Sequence, residues 1–352
     1  MLATRQFQES EGKTMRQIVM MKAGGVDVMK ILEVDEPRPD QGEVKIDVKA
    51  IGINFADILT RKGIYPDAPE KPCVVGYEVS GPVESVGPDV DPALIGNPVI
   101  GIMPFGGYAE KVICPVGHIL NKPDLLTFEQ GASIPVNYLT AYMLLVVMGC
   151  LRQNDRLLIH NAGSGVGLAA LQLAKHRGAF PYGTSSVHKH EFLTEKGYLG
   201  LMDYPGKDWL EEVMQLTDGQ GFDLIIDPIG GKNTRLNYRA LARTGRLGLF
   251  GLATATQTRI GVKLNLMKTV MRMPRFHPVR LMNANKGIFG VNLGHMWAFE
   301  EKLLGWLKEI MKGVDEGWLR PHVDCVFPLE KAAEAHSYIE ARRNIGKVVL
   351  VP

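Results

Sequence analysis

His160-Asn161-Ala162-Gly163-Ser164-Gly165-Val166-Gly167 decides the fold. It follows a short apolar run at 156–159 and leads into 166–177, where Leu168, Leu171 and Ala174 recur at core-facing helical spacing. Glycine at such a junction lets the chain turn sharply. It also lets a pyrophosphate approach main-chain N–H groups at the positive end of a helix. A glycine turn can serve strand–helix packing alone, so the context must decide. Downstream, strands read at 179–184, 200–203, 222–226, 246–250 and 288–291, and helices at 188–196, 208–216 and 234–242. Strands alternating with helices imply βαβ units and a parallel sheet covered on both faces, the setting in which the glycine stretch binds a dinucleotide.

The end of the second strand indicates which dinucleotide. Sites that prefer NAD carry Asp or Glu there to bind the ribose 2′-hydroxyl. This chain has Gly183-Thr184-Ser185-Ser186-Val187-His188-Lys189-His190, with hydroxyls and a cation but no carboxylate. That corner suits a 2′-phosphate, so NADP(H) is expected over NAD(H). The plainer reading of Lys189 is a solvated residue in the first turn of a helix.

Upstream, 15–135 reads β-rich. Val44, Ile46 and Val48 alternate with Lys45, Asp47 and Lys49, and Gly76, Gly81, Pro82, Gly87, Pro88, Gly96 and Pro98 punctuate short strands. One short helix is expected at 55–62, ended by Gly63. Beyond 292 come a helix (299–312), a strand (322–327), a helix (329–342) and a last strand (348–351). Sixty residues are few for a separate domain, so 292–352 is expected to return and complete 15–135, with 136–291 as an inserted dinucleotide-binding domain. Residues 1–14 are polar and read as a disordered leader or a misplaced start.

Composition excludes several classes. Of 352 residues 45% are hydrophobic and 22% charged, an ordinary globular balance, and a net charge of +2 gives no electrostatic case for nucleic acid. Cys73, Cys114, Cys150 and Cys325 form no C-x-x-C pair, so neither a zinc ribbon nor a disulfide scaffold is expected and a reducing, cytoplasmic setting fits. His188 and His190 lack a third ligand and read as surface residues; no metal site is expected. The longest apolar run, 139–151, is too short for a bilayer and reads as a buried helix. The segment 254–286 carries seven Lys and Arg and no Asp or Glu. Val262, Leu266, Val270 and Met273 mark one helical face, and Lys268, Arg272 and Arg275 another. Packing over a substrate cleft or on a second subunit is the favoured role. Peripheral contact with an anionic lipid surface is the lesser one.

Taken together the sequence resembles the medium-chain dehydrogenase/reductases, in their zinc-free quinone oxidoreductase branch. The similarity runs from about 15 to 352 and is carried by Gly52-Ile53-Asn54-Phe55-Ala56-Asp57, Val75-Gly76-Tyr77-Glu78-Val79-Ser80-Gly81 and Ser164-Gly165-Val166-Gly167. Within that branch it most resembles the vesicle amine transport protein homologues, through Pro135-Val136-Asn137-Tyr138-Leu139-Thr140-Ala141-Tyr142, Asp227-Pro228-Ile229-Gly230-Gly231 and Asn344-Ile345-Gly346-Lys347. The resemblance implies an α/β fold, a GroES-like β-rich catalytic domain with an inserted Rossmann-type doubly wound parallel sheet domain. Members are often homodimers that pair through the cofactor domain, which would make 288–291 the joining edge.

The resemblance also implies site residues. Asn54 and Tyr77 stand where zinc-dependent relatives have a cysteine and a histidine ligand, and amide and phenol are poor zinc ligands. The relatives' four-cysteine lobe is missing at 101–108. Ser164, Gly165, Val166 and Gly167 would hold the diphosphate, and Ser185, Lys189 and Tyr204 the 2′-phosphate. Gly251 and Leu252 would line the nicotinamide side, Phe289 and Val291 would lie near its ring, and Arg342 and Lys347 would meet the cofactor. Leu59 replaces a tyrosine usual five residues after the asparagine, removing a phenol. Asn54 is the first candidate donor to a substrate oxygen, or else positions the cofactor; Tyr65, Asn137 and Tyr138 follow. The expected activity is zinc-independent, NADPH-dependent reduction of quinones or α,β-unsaturated carbonyl compounds. An NADPH-binding regulatory or membrane-associated protein with little turnover, and an enoyl reductase, are the rivals.

Overall fold

The βαβ series closes into one parallel sheet. The computed structural model describes residues 13–203, 209–256 and 261–352. Among them six parallel strands run side by side in the order Gly200–Met202, Phe180–Thr184, Arg156–His160, Phe222–Asp227, Leu241–Leu249 and Gly287–Gly290. Counted along the chain this is 3-2-1-4-5-6, the doubly wound order. Its crevice opens where the order reverses, between Arg156–His160 and Phe222–Asp227. Leu157, Leu158 and Ile159 beside Leu224, Ile225 and Ile226 are fully buried, as strands covered on both faces require.

Two boundaries differ from the sequence reading. The fifth strand begins at Leu241, five residues early, because a register shift between Phe222 and Leu224 absorbs the extra length. The apolar run 139–151 is not one helix. Pro135–Tyr142 is α-helical, Met143–Val147 continues as a π-helical turn, and Cys150 ends it in a left-handed conformation (φ 46°).

The N-terminal half is antiparallel. Thr14–Met20 pairs with Met29–Asp35 over seven residues, and Cys73–Val74 adds to its other edge. A larger sheet runs Val323–Pro328, Lys347–Val351, Ala50–Gly52, Glu78–Val86, Glu43–Asp47 and Lys111–Pro115. The last strand, Lys347–Val351, lies between Ala50–Gly52 and Val323–Pro328, so the chain end completes the sheet its beginning started. In helix Glu300–Asp315, Leu303, Leu307, Ile310 and Val314 share a core with Leu139, Leu168 and Leu171, and with Ile100, Ile102 and Leu126 of the N-terminal half. The leader call at 1–14 falls almost wholly outside the described residues.

The basic segment forms helices Val262–Met271 and Pro278–Ala284. The first docks through Thr269, which is buried, and through Asn265, whose Nδ2 donates to Thr254 O and Ala255 O at 3.0 Å. Val270, expected on the packed face, is 51% exposed, since polar anchors rather than the apolar stripe set the helix's rotation. Leu264, Met267, Met271, Val279 and Met282 are exposed as well. Among the described residues no helix is long and apolar enough to cross a membrane.

Candidate functional site

The glycine stretch sits at the crevice. Ser164 caps helix Gly165–His176, its Oγ accepting from Gly167 N at 3.0 Å. The amides of Gly165 and Val166 have no intrahelical acceptor, and Ser164 is bridged in parallel to Gly346 of the C-terminal stretch. A Cβ on Gly167 would stand 2.5 Å from Ala162 O and 2.6 Å from Asn161 O, so the close helix–strand approach requires glycine. A Cβ on Gly165 would meet the Asn137 amide at 2.4 Å, which places Asn137 over the turn. Tyr198, which the sequence gave no reason to single out, braces the loop from below, donating to Ala162 O at 3.2 Å and Gly167 O at 3.1 Å.

The corner after the second strand adjoins this turn. Ser185 and Lys189 are both buried. Lys189 Nζ donates to Arg342 O at 2.8 Å and Asn344 O at 2.6 Å, so it is not a solvated first-turn lysine. Burial lowers its pKa. Arg342 adopts a left-handed backbone (φ 57°) after helix Ala332–Glu340, and Gly346 N donates to Gly163 O at 2.8 Å. The C-terminal stretch 342–347 is thereby strapped across the glycine turn, joining the chain's two halves. Tyr204 lies outside the described residues.

Across the cleft, Asn54 precedes helix Phe55–Arg61 and is buried between two charges. Its Nδ2 donates to Glu78 Oε1 at 2.9 Å and its Oδ1 accepts from Lys347 Nζ at 2.7 Å. Lys347 also bonds Glu78 directly, and Glu78 Oε2 accepts from Val136 N at 2.8 Å. Glu78 was missed as a site residue, although a carboxylate one residue beyond Gly76-Tyr77, at the start of a strand, was the available signal. The triad commits both ends of the Asn54 amide, which makes Asn54 a positioning group rather than a free donor.

A second buried chain lies behind it. Asp57 accepts from Asn54 N at 2.7 Å, Gly76 N at 3.1 Å and the Tyr108 hydroxyl at 3.2 Å. Tyr108 Oη is 3.0 Å from His336 Nε2, and Arg61 Nε donates to His336 Nδ1 at 3.3 Å. With Nδ1 accepting from Arg61, the ring proton lies on Nε2, and donation runs Arg61 to His336 to Tyr108 to Asp57. Burial pushes the Asp57 carboxyl up to about 7, and burial with Arg61 alongside holds His336 down to about 3. Under the parallel sheet His160 Nδ1 lies 2.8 Å from Thr184 Oγ1 and Nε2 2.8 Å from Asn237 Oδ1, with Asn237 Nδ2 donating to Asp227 Oδ2 at 2.8 Å. That network fixes the strand ends from which the cleft loops spring.

On the remaining wall Val291 is buried, and Leu252 packs over Gly230, where a Cβ would meet its Cδ2 at 2.5 Å. Gly251 lies against Pro228, whose carbonyl oxygen would be 2.8 Å from a Cβ there. Phe289 turns its ring back over Gly248 and into the core. Tyr65 borders the opposite side, edge-on to Tyr77 at 6.5 Å. Tyr138 is a correction. It is 4% exposed in the core, its hydroxyl donating to Gln172 Oε1 at 2.8 Å, so helical packing removes it from the catalytic candidates. Asn137 likewise donates to Ser133 O at 3.2 Å. Among the described residues no three His, Cys, Asp or Glu side chains gather as metal ligands.

Residues 40–124 match the alcohol dehydrogenase GroES-like domain, and 199–350 the zinc-binding dehydrogenase family. The synaptic vesicle membrane protein VAT-1 homolog of Danio rerio is 34% identical over 353 residues, 99% of this chain and 72% of that protein. The quinone oxidoreductase of Sus scrofa is 29% identical over 343 residues, 96% of this chain and 98% of that one. A mycobacterial protein solved in complex with NADPH superposes with a TM-score of 0.83 at 32% identity, covering 96% of this chain and 100% of the other.

Proposed function

The chain belongs to the medium-chain dehydrogenase/reductase superfamily, alongside the VAT-1 homologues, and from that membership we propose a zinc-independent, NADPH-dependent reductase of quinones or α,β-unsaturated carbonyl compounds. One observation carries this reading: a serine-capped glycine turn adjoins the corner holding Ser185 and a buried Lys189, where 183–190 carries no carboxylate and Asp324, from the C-terminal part of the chain, also acts on Lys189. An ammonium has three protons, and Lys189 gives two to carbonyls, which leaves one for a phosphate oxygen. The NADPH complex of the mycobacterial relative supports the same cofactor.

In this reading the amides of Gly165 and Val166, with Ser164 and Gly167, hold the diphosphate. Ser185 and Lys189 hold the 2′-phosphate with Arg342 beside them. Gly251, Leu252 and Val291 form the nicotinamide side, and Asn54 and Lys347 fix the opposite wall. NADPH bound there supplies hydride. The protein's task is to keep a flat acceptor about 3–3.5 Å from it in a dry cleft and to meet charge developing on the acceptor oxygen. Zinc independence rests on the donor set: the Asn54 oxygen is taken by Lys347, and burial keeps the Tyr77 phenol protonated. The pairing of the outer strand Gly287–Gly290 with its copy would make a homodimer, and four unpaired cysteines accord with a reducing, cytoplasmic setting.

Calorimetry with NADPH and NADH, followed by steady-state NADPH oxidation over quinones and enones, tests the reading. Tighter NADPH binding with turnover is expected. No heat with NADPH, or a preference for NADH, overturns it. A second reading has its own observation: Leu264, Met267, Met271 and Met282 are exposed on an acid-free basic segment, suited to an anionic membrane surface. The relatives' name, synaptic vesicle membrane protein, points the same way. NADPH binding without turnover, together with pelleting on acidic but not neutral liposomes, would favour it.

A further inference from the structure

We infer that Glu78 is a positioning residue: its two carboxylate oxygens tie the wall pair Asn54 and Lys347 to the glycine turn, so that the turn receiving the cofactor and the wall facing the substrate are set together. The inference rests on the hydride-transfer reading above and adds what keeps its two walls in register.

The placement follows from strand register. Ala50 pairs with Ser80 and Ile51 with Val79, which sets Gly52 opposite Glu78. On the other side Val349 pairs with Gly52 and Leu350 with Ile51, which sets Lys347 opposite Asn54. Three neighbouring segments thus deliver an acid, an amide and a cation to one spot, and all three side chains are buried. Gly52 makes the room. A Cβ there would stand 2.7 Å from Glu78 Oε1 and 2.1 Å from Ala132 O.

The partners fix which way each group faces. An ammonium only donates and a carboxylate only accepts, so the Asn54 amide between them has one orientation, Oδ1 to Lys347 and Nδ2 to Glu78. Glu78 Oε1 thereby holds the wall. Glu78 Oε2 accepts from Val136 N, the first amide of helix Pro135–Tyr142 after a proline that has none. The next residue, Asn137, is the one whose side chain stands over Gly165. The wall reaches the turn by a second route as well, since Gly346, beside Lys347, donates to Gly163 O and is bridged to Ser164. Glu78 joins the two routes, bonded to Val136 on one and to Lys347 on the other. It acts through Asn54 and Lys347 rather than on the substrate. Alignment of this kind matters because a misplacement of about 1 Å can cost about 100-fold in rate.

Glu78→Gln and Glu78→Asp test this, with NADP⁺ and 2-methyl-1,4-naphthoquinone as probes. Glutamine keeps the size but has one acceptor oxygen, so it meets either Val136 N or Lys347 with a donor. Aspartate keeps the charge but is a methylene too short to span both ends. In the parent, NADP⁺ is expected to slow amide hydrogen exchange at 163–168 and also at 52–58. In both variants the first protection should remain, with NADPH Kd within about threefold by calorimetry, while the second falls about tenfold. Their kcat should fall roughly ten- to hundredfold. NADPH deuterated at nicotinamide C4 should give a larger isotope effect, which a smaller folded fraction would leave unchanged. If glutamine leaves Lys347 without its counter-charge and prevents folding, aspartate alone carries the comparison. Folded variants with parental kcat and parental protection at 52–58 overturn the assignment. Loss of NADPH affinity together with a lower thermal midpoint in Glu78→Asp marks a packing role and overturns it too. A parent that binds NADP⁺ without reducing the quinone overturns the functional reading alone, and the exchange measurement still decides for Glu78.

Discussion

Lys189 gains meaning from what surrounds it. In sequence it is one cation in a run of His, Ser and Lys. In the fold it is buried and held by two carbonyls from a segment more than 150 residues away. Lys189→Ala is expected to weaken NADPH binding about tenfold or more, one charge-assisted hydrogen bond, with little change for NADH. Equal losses for both cofactors, read by calorimetry, would count against a 2′-phosphate contact. His336 makes a second test. Its folded pKa is held down to about 3 against an ordinary 6.5, so its stabilising contribution is full above pH 6.5 and is lost as pH falls toward 3. The penalty of His336→Gln, measured by denaturant titration, should shrink over that window by up to about 1.4 kcal/mol per pH unit. Asp57 has the opposite sign. Raised to about 7, its contribution declines as pH climbs from about 4 through 7.

The glycine turn shows why two similar residues in one motif are not equivalent. A methyl at Gly167 would strike two backbone carbonyls, which cannot move without parting the strand from the helix. A methyl at Gly165 would strike the end of the Asn137 side chain, which can rotate. Gly167→Ala should therefore lower the thermal midpoint far more than Gly165→Ala, the second change acting mainly on NADPH affinity. Comparable midpoints for the two would contradict the packing described. Most elements here were legible from periodicity, because strands buried on both faces must be continuously apolar and their covering helices must repeat at three and four. The exceptions have local causes. The fifth strand started early because a register shift takes up three extra residues, and helix Val262–Met271 leaves Leu264, Met267, Val270 and Met271 exposed because Asn265 and Thr269 anchor it.

At the level of the assembly, the sheet ends in Gly287–Gly290, an edge strand paired on one side only among the described residues. Light scattering at micromolar concentration is expected to return twice the 38.8 kDa chain mass. Hydrogen exchange should find the 287–290 amides protected, and a monomer with fast exchange there would exclude edge pairing. The succession of strands and helices, the glycine turn and the absence of a carboxylate in 183–190 could be read along the chain, because each is a property of neighbouring residues. The Asn54–Glu78–Lys347 triad, the strap of 342–347 over Gly163 and the burial of Tyr138 could not. Each depends on residues brought together from distant parts of the chain, and on the direction a side chain takes once packing and unmet hydrogen bonds compete. Local pattern carries the elements; only the closed fold decides which polar atoms are satisfied and which are left for a ligand.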